Sequence, residues 1–184
     1  MALSSLSDNE LLQKIQQGSH PAFAELATRY AATFYRLCYR YLGQHEEAEE
    51  LVQVTFLQLW EKPYQWDETR NTKFTTWFYK ILVNKCLDRL KKHSHLHLHD
   101  EALVEDKAEN QEASIILKQK QQILENAIRS LPKRQQTALN LCFYEEMSNK
   151  EAATIMGISV KALESLLIRA KNSLKQQLAG QTHE

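Results

Sequence analysis

Few residues in this chain interrupt helices. Its 184 residues include only 4 Gly and 3 Pro, whereas folds with many strands need these residues in their numerous turns. Leu, Gln, Lys, Glu and Ala, which favour helices, are abundant. A chain of this length forms one medium domain or two small ones. The expected fold class is therefore all-α.

Helix-end signals divide the chain into segments. Two capping boxes, Ser7-Asp8-Asn9-Glu10 and Ser148-Asn149-Lys150-Glu151, each predict the start of a helix. Gly43 and Pro63 each end a predicted helix, and Gly157 is suited to the left-handed residue that follows a third. Between these signals apolar residues recur every three to four positions, which is the helical period.

The apolar pattern stops at His93 and resumes with Ile115. The residues between them are mostly polar and acidic, a composition that favours a mobile linker. We therefore expect two small helical domains, residues 1–92 and 112–184, joined by a flexible linker over residues 93–111. No stretch reaches the ~18 consecutive apolar residues of a membrane span, and the first residues do not resemble a signal peptide. We expect a cytoplasmic protein without direct membrane insertion.

The net charge of zero conceals an uneven distribution. Residues 1–69 carry 5 basic and 10 acidic side chains, whereas residues 70–92 carry 7 basic and 1 acidic. Residues 93–129 carry 4 basic and 7 acidic side chains, and residues 130–184 carry 7 and 5. A basic block beside an acidic one can bind a polyanion on one face and a basic protein surface on another.

Two predicted helices near the C-terminus are separated by only three residues, Gly157-Ile158-Ser159. The first is short and the second is long and amphipathic, a pattern typical of a helix-turn-helix whose second helix enters the major groove of DNA. Two packed helices without a DNA-binding role can show the same pattern. The outward positions of the second helix offer groups for base edges and phosphates: Lys161, Glu164, Ser165, Ile168, Arg169 and Asn172.

Aromatic and cationic residues are interleaved between Trp66 and Lys92. Aromatic faces can stack on unpaired bases while cations hold phosphates, so the pattern favours a single-stranded nucleic-acid surface. Phe74, Trp77 and Phe78 share one side of the predicted helix, so core packing is the alternative for each of them. A solvated basic face is the alternative for the cations: Lys80, Lys85, Arg89 and Lys92.

Two groups of motifs resemble the extracytoplasmic-function (ECF) sigma factors of the sigma-70 family. Residues 48–60, AEELVQVTFLQLW, and residues 74–84, FTTWFYKILVN, resemble the second conserved region of that family. Residues 131–135, LPKRQ, and the stretch from NKEAA at 149–153 to RAK at 169–171 look like the fourth region. The motifs occur in family order and cover nearly the whole chain. The resemblance implies a promoter-specificity subunit of bacterial RNA polymerase.

The resemblance also implies partners and contact residues. In that family the helix around Gln53 docks on the polymerase clamp. The segment from Trp66 to Lys92 recognises the start-proximal promoter element and helps to melt it. The last helix recognises the upstream element as duplex DNA. The implied partners are core polymerase, promoter DNA and an anti-sigma factor. The implied polymerase contacts are Glu47, Glu50, Gln53 and Phe56. The implied DNA contacts are Trp66, Arg70, Lys73, Lys80, Asn84, Lys85, Arg89, Lys92, Lys161, Glu164, Ser165, Arg169 and Lys171.

Four histidines, His93, His95, His97 and His99, occupy alternate positions. In an extended chain every second side chain points the same way, so these imidazoles could bind a zinc, nickel or copper ion. A single flexible segment does not enforce the geometry of its ligands, so a solvated His-rich linker is the alternative. We predict no cofactor.

The chain contains three cysteines, Cys38, Cys86 and Cys142. They form no CxxC pair, and each falls in an apolar helical stretch. We therefore expect buried, reduced thiols rather than disulfides or a thiolate metal site.

No motif indicates an enzyme. The sequence has no Gly-rich phosphate loop, no paired catalytic motif and no Cys/His arrangement with a defined base. An autonomous helix-turn-helix regulator, including a metal-responsive one, is the alternative function. Such a regulator would normally dimerise to read two half-sites, whereas a sigma factor works as one copy within the polymerase.

Overall fold

The structure is a computed structural model that describes residues 2–67, 72–96 and 112–180. Within these ranges the regular structure is helical, which confirms the expected all-α class. None of the helices described there is long and apolar enough to cross a membrane. The α-helices of these ranges are α1 (Asp8–Gln16), α2 (His20–Leu42), α3 (His45–Glu61), α4 (Phe74–Leu96), α5 (Glu112–Ser130), α6 (Lys133–Leu139), α7 (Asn149–Met156) and α8 (Val160–Gly180).

The helices form two compact units, Met1–Leu98 and His99–Glu184. The first unit contains α1 to α4 and the second contains α5 to α8. The domain end that we predicted at residue 92 falls inside α4, because residues 91–96 contain neither Gly nor Pro to end a helix. Residues 97–111, most of the predicted linker, lie outside the described residues.

A capping box begins one helix in each unit. The Ser7 side chain accepts a hydrogen bond from the Glu10 amide at 3.3 Å, and the Ser7 amide donates to the Glu10 carboxylate at 2.7 Å. At α7 the corresponding distances between Ser148 and Glu151 are 3.3 and 3.2 Å. Both predicted capping boxes are therefore confirmed.

Aromatic side chains fill the core of the first unit. The Phe34 ring stacks on the Phe78 ring with centroids 4.5 Å apart, and Phe56 approaches the two rings to 5.9 and 4.9 Å. These residues come from α2, α4 and α3, and each is at most 6% exposed. Aromatic pairs add about 0.5–1.5 kcal/mol each beyond the burial of their area. This packing fixes α3 and α4 side by side on α2.

The start of the chain is attached to α2 by polar contacts. The Arg29 guanidinium donates to the Asp8 carboxylate at 2.8 Å and to the Leu6 carbonyl oxygen at 3.1 Å. The Tyr30 hydroxyl donates to the other Asp8 oxygen at 2.5 Å. Burial and this hydrogen bond raise the pKa of Tyr30. Asp8 thus belongs to the scaffold of the first unit.

Aliphatic side chains form the core cluster of the second unit. Leu131, Leu139 and Ala170 are buried together, and Leu167 and Leu174 pack against them. The cluster joins α6 and the turn before it to α8. After Leu139 the helix continues as a π-helical turn over Asn140–Tyr144, where the sequence predicted an unbroken helix. Such turns occur frequently at functional sites.

Two of the three cysteines lie in the core of the first unit. Cys38 of α2 and Cys86 of α4 are fully buried and reduced. A hydrogen bond between the two thiols, together with burial, raises the pKa of Cys86. The expectation of buried thiols is confirmed for this pair. It is wrong for Cys142, which is half-buried because it lies in the π-helical turn.

Candidate nucleic-acid and partner interfaces

One side of α3 is acidic and partly apolar. Glu50 and Gln53 are exposed and Glu47 is half-buried. Val54 and Leu57, which are 46% and 53% exposed, lie on the same side, because residues three, four and seven apart share one side of a helix. The sequence predicted the three polar members and missed the two apolar ones, which adjoin buried apolar positions. These five residues are called the α3 surface below.

Phe56 is not part of the α3 surface. Its side chain is only 6% exposed and packs against Phe34 and Phe78 in the core. The free chain does not present Phe56 to a partner, because its position on α3 faces α2 and α4, and the polymerase contact at Phe56 stays a prediction. Phe56 supports the α3 surface from beneath.

An ion pair joins the α3 surface to α4. Arg89 donates from Nη1 and Nη2 to the two carboxylate oxygens of Glu50, at 2.9 and 3.3 Å. This hydrogen bonding lowers the pKa of Glu50 and raises the pKa of Arg89. The side chain of Glu50 is 59% exposed and that of Arg89 is 28% exposed. The structure thus joins two residues that the sequence analysis assigned to different partners.

The predicted DNA-contacting residues of α4, with Lys73 just before it, fall into two stripes, since a helix turns by about 100° per residue. The first, called the Asn84 stripe, is exposed and comprises Lys73, Lys80 and Asn84. The second, called the Arg89 stripe, has the spacing i, i+4, i+7 and comprises Lys85, Arg89 and Lys92. The Arg89 stripe borders α3 across a cavity of about 270 Å³. Only this second stripe is next to the α3 surface.

Trp66 is buried, although the sequence analysis placed it on the DNA surface. It is 4% exposed, and its ring lies 6.1 Å from that of Phe74 and 5.7 Å from that of Trp77. In the free chain the buried ring is inaccessible to a base, and the DNA contact at Trp66 stays a prediction. The core alternative holds for Phe74 and Phe78, which are buried. Arg70 lies outside the described residues.

α7, the short turn after it and α8 form the predicted helix-turn-helix. Gly157 has a φ of 63°, a left-handed conformation that favours glycine. The Ile158 amide donates to the Ala153 carbonyl at 3.0 Å, which closes the turn. The Ser159 side chain accepts from the Ala162 amide at 3.2 Å and caps α8. The short turn fixes the direction in which α8 leaves α7.

The outer side of α8 carries the predicted base- and phosphate-contacting groups. The exposed members are Lys161, Glu164, Ser165, Ile168, Arg169, Lys171 and Asn172. Ile168 is 61% exposed and is an apolar residue on this polar side. The Ser165 hydroxyl donates to the Lys161 carbonyl at 2.9 Å, so its oxygen remains as an outward acceptor. The arrangement suits base edges that present both donors and acceptors.

Arg134 of α6 adds a second guanidinium to this region. A cavity of about 280 Å³ is lined by Arg134, Ser165 and Arg169 together with two apolar residues. Two guanidinium groups at one cavity are suited to phosphate oxygens, which they can bind in a bidentate manner. The sequence analysis did not select Arg134, because only the packing of α6 on α8 places it beside Arg169.

Lys171 lies at the edge of the α8 surface. Its Nζ is 5.0 Å from the centroid of the Phe143 ring, which belongs to the π-helical turn and is 55% exposed. Such a cation–π contact contributes about 0.5–1 kcal/mol at an exposed site. It directs Lys171 toward the π-helical turn rather than toward the centre of the α8 surface.

The first two histidines of the run lie at the end of α4. The backbone of His93 and His95 belongs to α4 and is helical, so the extended conformation behind the metal hypothesis does not hold for this pair. His97 and His99 lie outside the described residues. The described residues contain no group of three or more His, Cys, Asp or Glu side chains placed to hold a metal ion.

Two family models match the chain. Sigma-70 region 2 matches residues 26–96, and Sigma-70, region 4, matches residues 121–174. The first match includes the α3 surface and both stripes of α4. The second includes α6, α7 and the first two-thirds of α8.

Relatives of known function match most of the chain. The ECF RNA polymerase sigma factor SigW of Bacillus subtilis is 28% identical, over 91% of this chain and 94% of that protein. The RNA polymerase sigma factor SigV of Bacillus subtilis is 29% identical, over 90% and 96%. The ECF RNA polymerase sigma-E factor of Haemophilus influenzae is 27% identical, over 94% and 96%.

Solved structures share the fold. CnrH in complex with the cytosolic domain of CnrY matches with a TM-score of 0.70 and 22% identity, over 94% of this chain and 97% of that one. The sigma factor RpoE in complex with the anti-sigma factor NepR, from Bartonella quintana, matches with a TM-score of 0.68 and 21% identity, over 85% and 96%. At these identities the likeness shows the all-α fold alone.

Proposed function

The chain belongs to the ECF subfamily of the sigma-70 family, and from this membership we propose how it directs transcription initiation. It binds core RNA polymerase through the α3 surface and reads two promoter elements, one through α4 and one through α8. A sigma factor is an initiation factor rather than a catalyst. The observation that carries the proposal is the presence of both sigma regions in one chain, in family order.

The α3 surface is the proposed site for the polymerase. Glu47, Glu50 and Gln53 offer acceptors to a basic protein surface, while Val54 and Leu57 offer apolar area that gains stability when it is covered. A patch that combines apolar and acidic side chains fits a partner with basic residues around an apolar centre. This composition supports the assignment of α3 to the polymerase rather than to DNA.

The two stripes of α4 are the proposed site for the start-proximal promoter element. The lysines of the Asn84 stripe supply the salt-dependent attraction to phosphates, and the amide of Asn84 can both donate and accept on one base edge. The Arg89 stripe supplies three further cations. Arg70 belongs to the same proposal from the sequence.

The outer side of α8 is the proposed site for the upstream element. Lys161, Arg169 and Lys171, with Arg134 from α6, hold phosphates of the duplex, and Ser165 accepts from a base. Glu164 repels phosphate and accepts from the amino group of cytosine. It therefore contributes discrimination between sequences rather than affinity.

Regulation by an anti-sigma factor is proposed from the family. NepR bound to RpoE supplies the analogy, and the same acidic and apolar α3 surface is available to such a partner. The chain acts in the cytoplasm under this proposal, because the polymerase and the promoter are there. Domain boundaries at residues 92 and 112 remain predictions, which limited proteolysis of the free chain would check by cutting first between them.

Gel filtration of the purified chain with core polymerase tests the proposal. The chain should elute with core polymerase as one copy, and Leu57→Gln should weaken this binding by about tenfold, or ~1.4 kcal/mol. Ile168→Gln is the matched control, because it removes a similarly exposed aliphatic side chain from the other unit. A chain that elutes as a homodimer apart from the polymerase would contradict the proposal and favour the autonomous regulator.

A further inference from the structure

The Glu50–Arg89 ion pair connects surfaces for which two different partners are proposed. The guanidinium contacts both carboxylate oxygens, at 2.9 and 3.3 Å, so the pair is bidentate. Bidentate pairing fixes the orientation of the guanidinium as well as its position. In the free protein two of the five N–H donors of Arg89 are thus directed at α3 and occupied by Glu50.

Glu50 also offsets the repulsion within the Arg89 stripe. Lys85 and Lys92 lie one turn before and one turn after Arg89, and like charges at this spacing destabilise a helix. Asp88 of α4 lines the same cavity as the stripe, but its carboxylate is 3.7 Å from Lys91 Nζ, a lysine outside the stripe. From the neighbouring helix, both Glu47 and Glu50 act electrostatically on Arg89. Glu50 is the one whose carboxylate oxygens accept both hydrogen bonds of the bidentate pair.

We infer that Glu50 is a positioning residue that holds Arg89 against α3 in the free protein, and that a basic protein surface which takes Glu50 releases Arg89 to DNA. The inference rests on the proposed function, because the basic surface is that of the polymerase. An arginine or lysine of the partner competes with Arg89 for the same two carboxylate oxygens. Once displaced, the guanidinium of Arg89 can donate to a phosphate together with the ammonium groups of Lys85 and Lys92.

The coupling works in both directions. A phosphate that binds Arg89 frees Glu50 for the polymerase, since the effect of one ligand on another is thermodynamically reciprocal. Exposed ion pairs contribute little, and their usual range corresponds to at most about a fivefold change in affinity. The pair therefore biases the order of binding, so that DNA contact by α4 is favoured after the polymerase is bound.

A double-mutant cycle on the full chain tests this inference. The variants are Glu50→Gln, Arg89→Gln and both together, with Glu49→Gln as the matched control. Glu49 is an exposed acidic neighbour on α3 whose charge acts on Tyr35. The probe is a fluorescent single-stranded oligothymidylate of about 20 nucleotides, several times the site size of a small binding domain. Its anisotropy is measured against protein concentration at several salt concentrations.

Glu50→Gln should tighten binding of the probe by about twofold to fivefold more than Glu49→Gln does. It should also steepen the salt dependence by up to about 0.7 in log–log slope, because one more phosphate is neutralised. A merely structural role of Glu50 would leave that slope unchanged. With Arg89→Gln in the background, the two glutamine variants should bind the probe equally.

Equal effects of Glu50→Gln and Glu49→Gln in both backgrounds would overturn the inference. If the parent chain binds the probe too weakly to measure, detectable binding by Glu50→Gln supports it and undetectable binding counts against it. Competition for core polymerase is measured on the same variants. A parent chain that fails to bind core polymerase refutes the proposed function, whereas normal core binding with no coupling in the cycle refutes this inference alone.

Discussion

The two units hold the cations that we propose to contact DNA in different ways. In the first unit the central cation of the Arg89 stripe is paired with an acid from the neighbouring helix. In the second unit Arg134 and Arg169 line one cavity together, and Lys171 lies over an aromatic ring. The carboxylate partner offsets the charge of a paired cation and occupies two of its donors, whereas a cation beside another cation or a ring keeps its full charge for DNA. The comparison predicts that α8 can bind duplex DNA directly and that α4 depends on a second partner.

Their cores differ as well. The first unit relies on stacked and tilted aromatic rings, and the core cluster of the second is aliphatic. All three tryptophans of the chain, Trp60, Trp66 and Trp77, belong to the first unit. Tryptophan fluorescence therefore reports on the first unit alone, while circular dichroism reports on the helices of both.

The largest expected effect is on the aromatic core. Phe78→Ala should lower the free energy of unfolding of the first unit by about 3–5 kcal/mol, because a large buried ring is lost and a cavity is left. Urea unfolding followed by tryptophan fluorescence measures this change. Leu163→Ala, at a fully buried position of the second unit, should leave the fluorescence transition in place. A shift of equal size with Leu163→Ala would show that the units do not unfold independently.

The next effect concerns the α8 surface. Arg169→Gln should weaken duplex binding for all sequences and reduce the log–log salt slope by about 0.9, because one phosphate contact is lost. Glu164→Gln should strengthen binding to many sequences and reduce the discrimination among them by about 1–3 kcal/mol. Fluorescence anisotropy on a panel of duplexes at several salt concentrations measures both. An unaltered ranking of duplexes with Glu164→Gln would make Glu164 a solvated helix charge.

The two capping boxes offer a matched comparison between the units. Ser7→Ala and Ser148→Ala should each destabilise their own unit by about 1 kcal/mol, because an amide at the start of the helix loses its acceptor. Ser7→Ala should shift the unfolding transition followed by tryptophan fluorescence. Ser148→Ala should leave that transition in place and shift only the unfolding transition followed by circular dichroism. Threonine at either position keeps the hydroxyl and should restore most of the loss. A threonine variant as unstable as the alanine variant would argue against the caps.

The smallest expected effect is a gain in stability. Glu146 has a φ of 51°, in the left-handed region that costs a residue with a Cβ about 1–2 kcal/mol. Glu146→Gly removes this strain but raises the conformational entropy of the unfolded chain. The free energy of unfolding of the second unit should therefore increase by only about 0.5 kcal/mol. Thermal unfolding measures it. Glu145→Gly is the control and should destabilise the unit, since Glu145 has a φ of −96°.

The sequence predicted the features that depend on local chemistry. Ser7 and Ser148 cap helices, and Gly157 turns the chain where expected, because each acts on backbone groups a few residues away. The outward residues of α8 could be predicted for the same reason, since the helical period of about 3.6 residues shows which positions face the core and which face solvent. The all-α class followed from composition and periodicity together.

The burial of some predicted site residues depends on contacts between distant helices. The family resemblance implied partner contacts for Phe56 and Trp66. Only the packing of α3 and α4 shows that their rings are buried. The contact between Cys38 and Cys86 spans two helices in the same way. No sequence pattern marks the approach of Glu50 to Arg89, because the two residues are brought together by the aromatic core beneath them.

Transcription from genomic DNA of the source organism, reconstituted with core polymerase and this chain, tests the central claim most directly. The 5′ ends of the transcripts are mapped with and without the chain. We predict discrete start sites that require the chain and share two spaced upstream elements, one read by each unit. Start sites that are the same without the chain, or that share no element, would contradict the assignment of this protein as a promoter-specificity subunit.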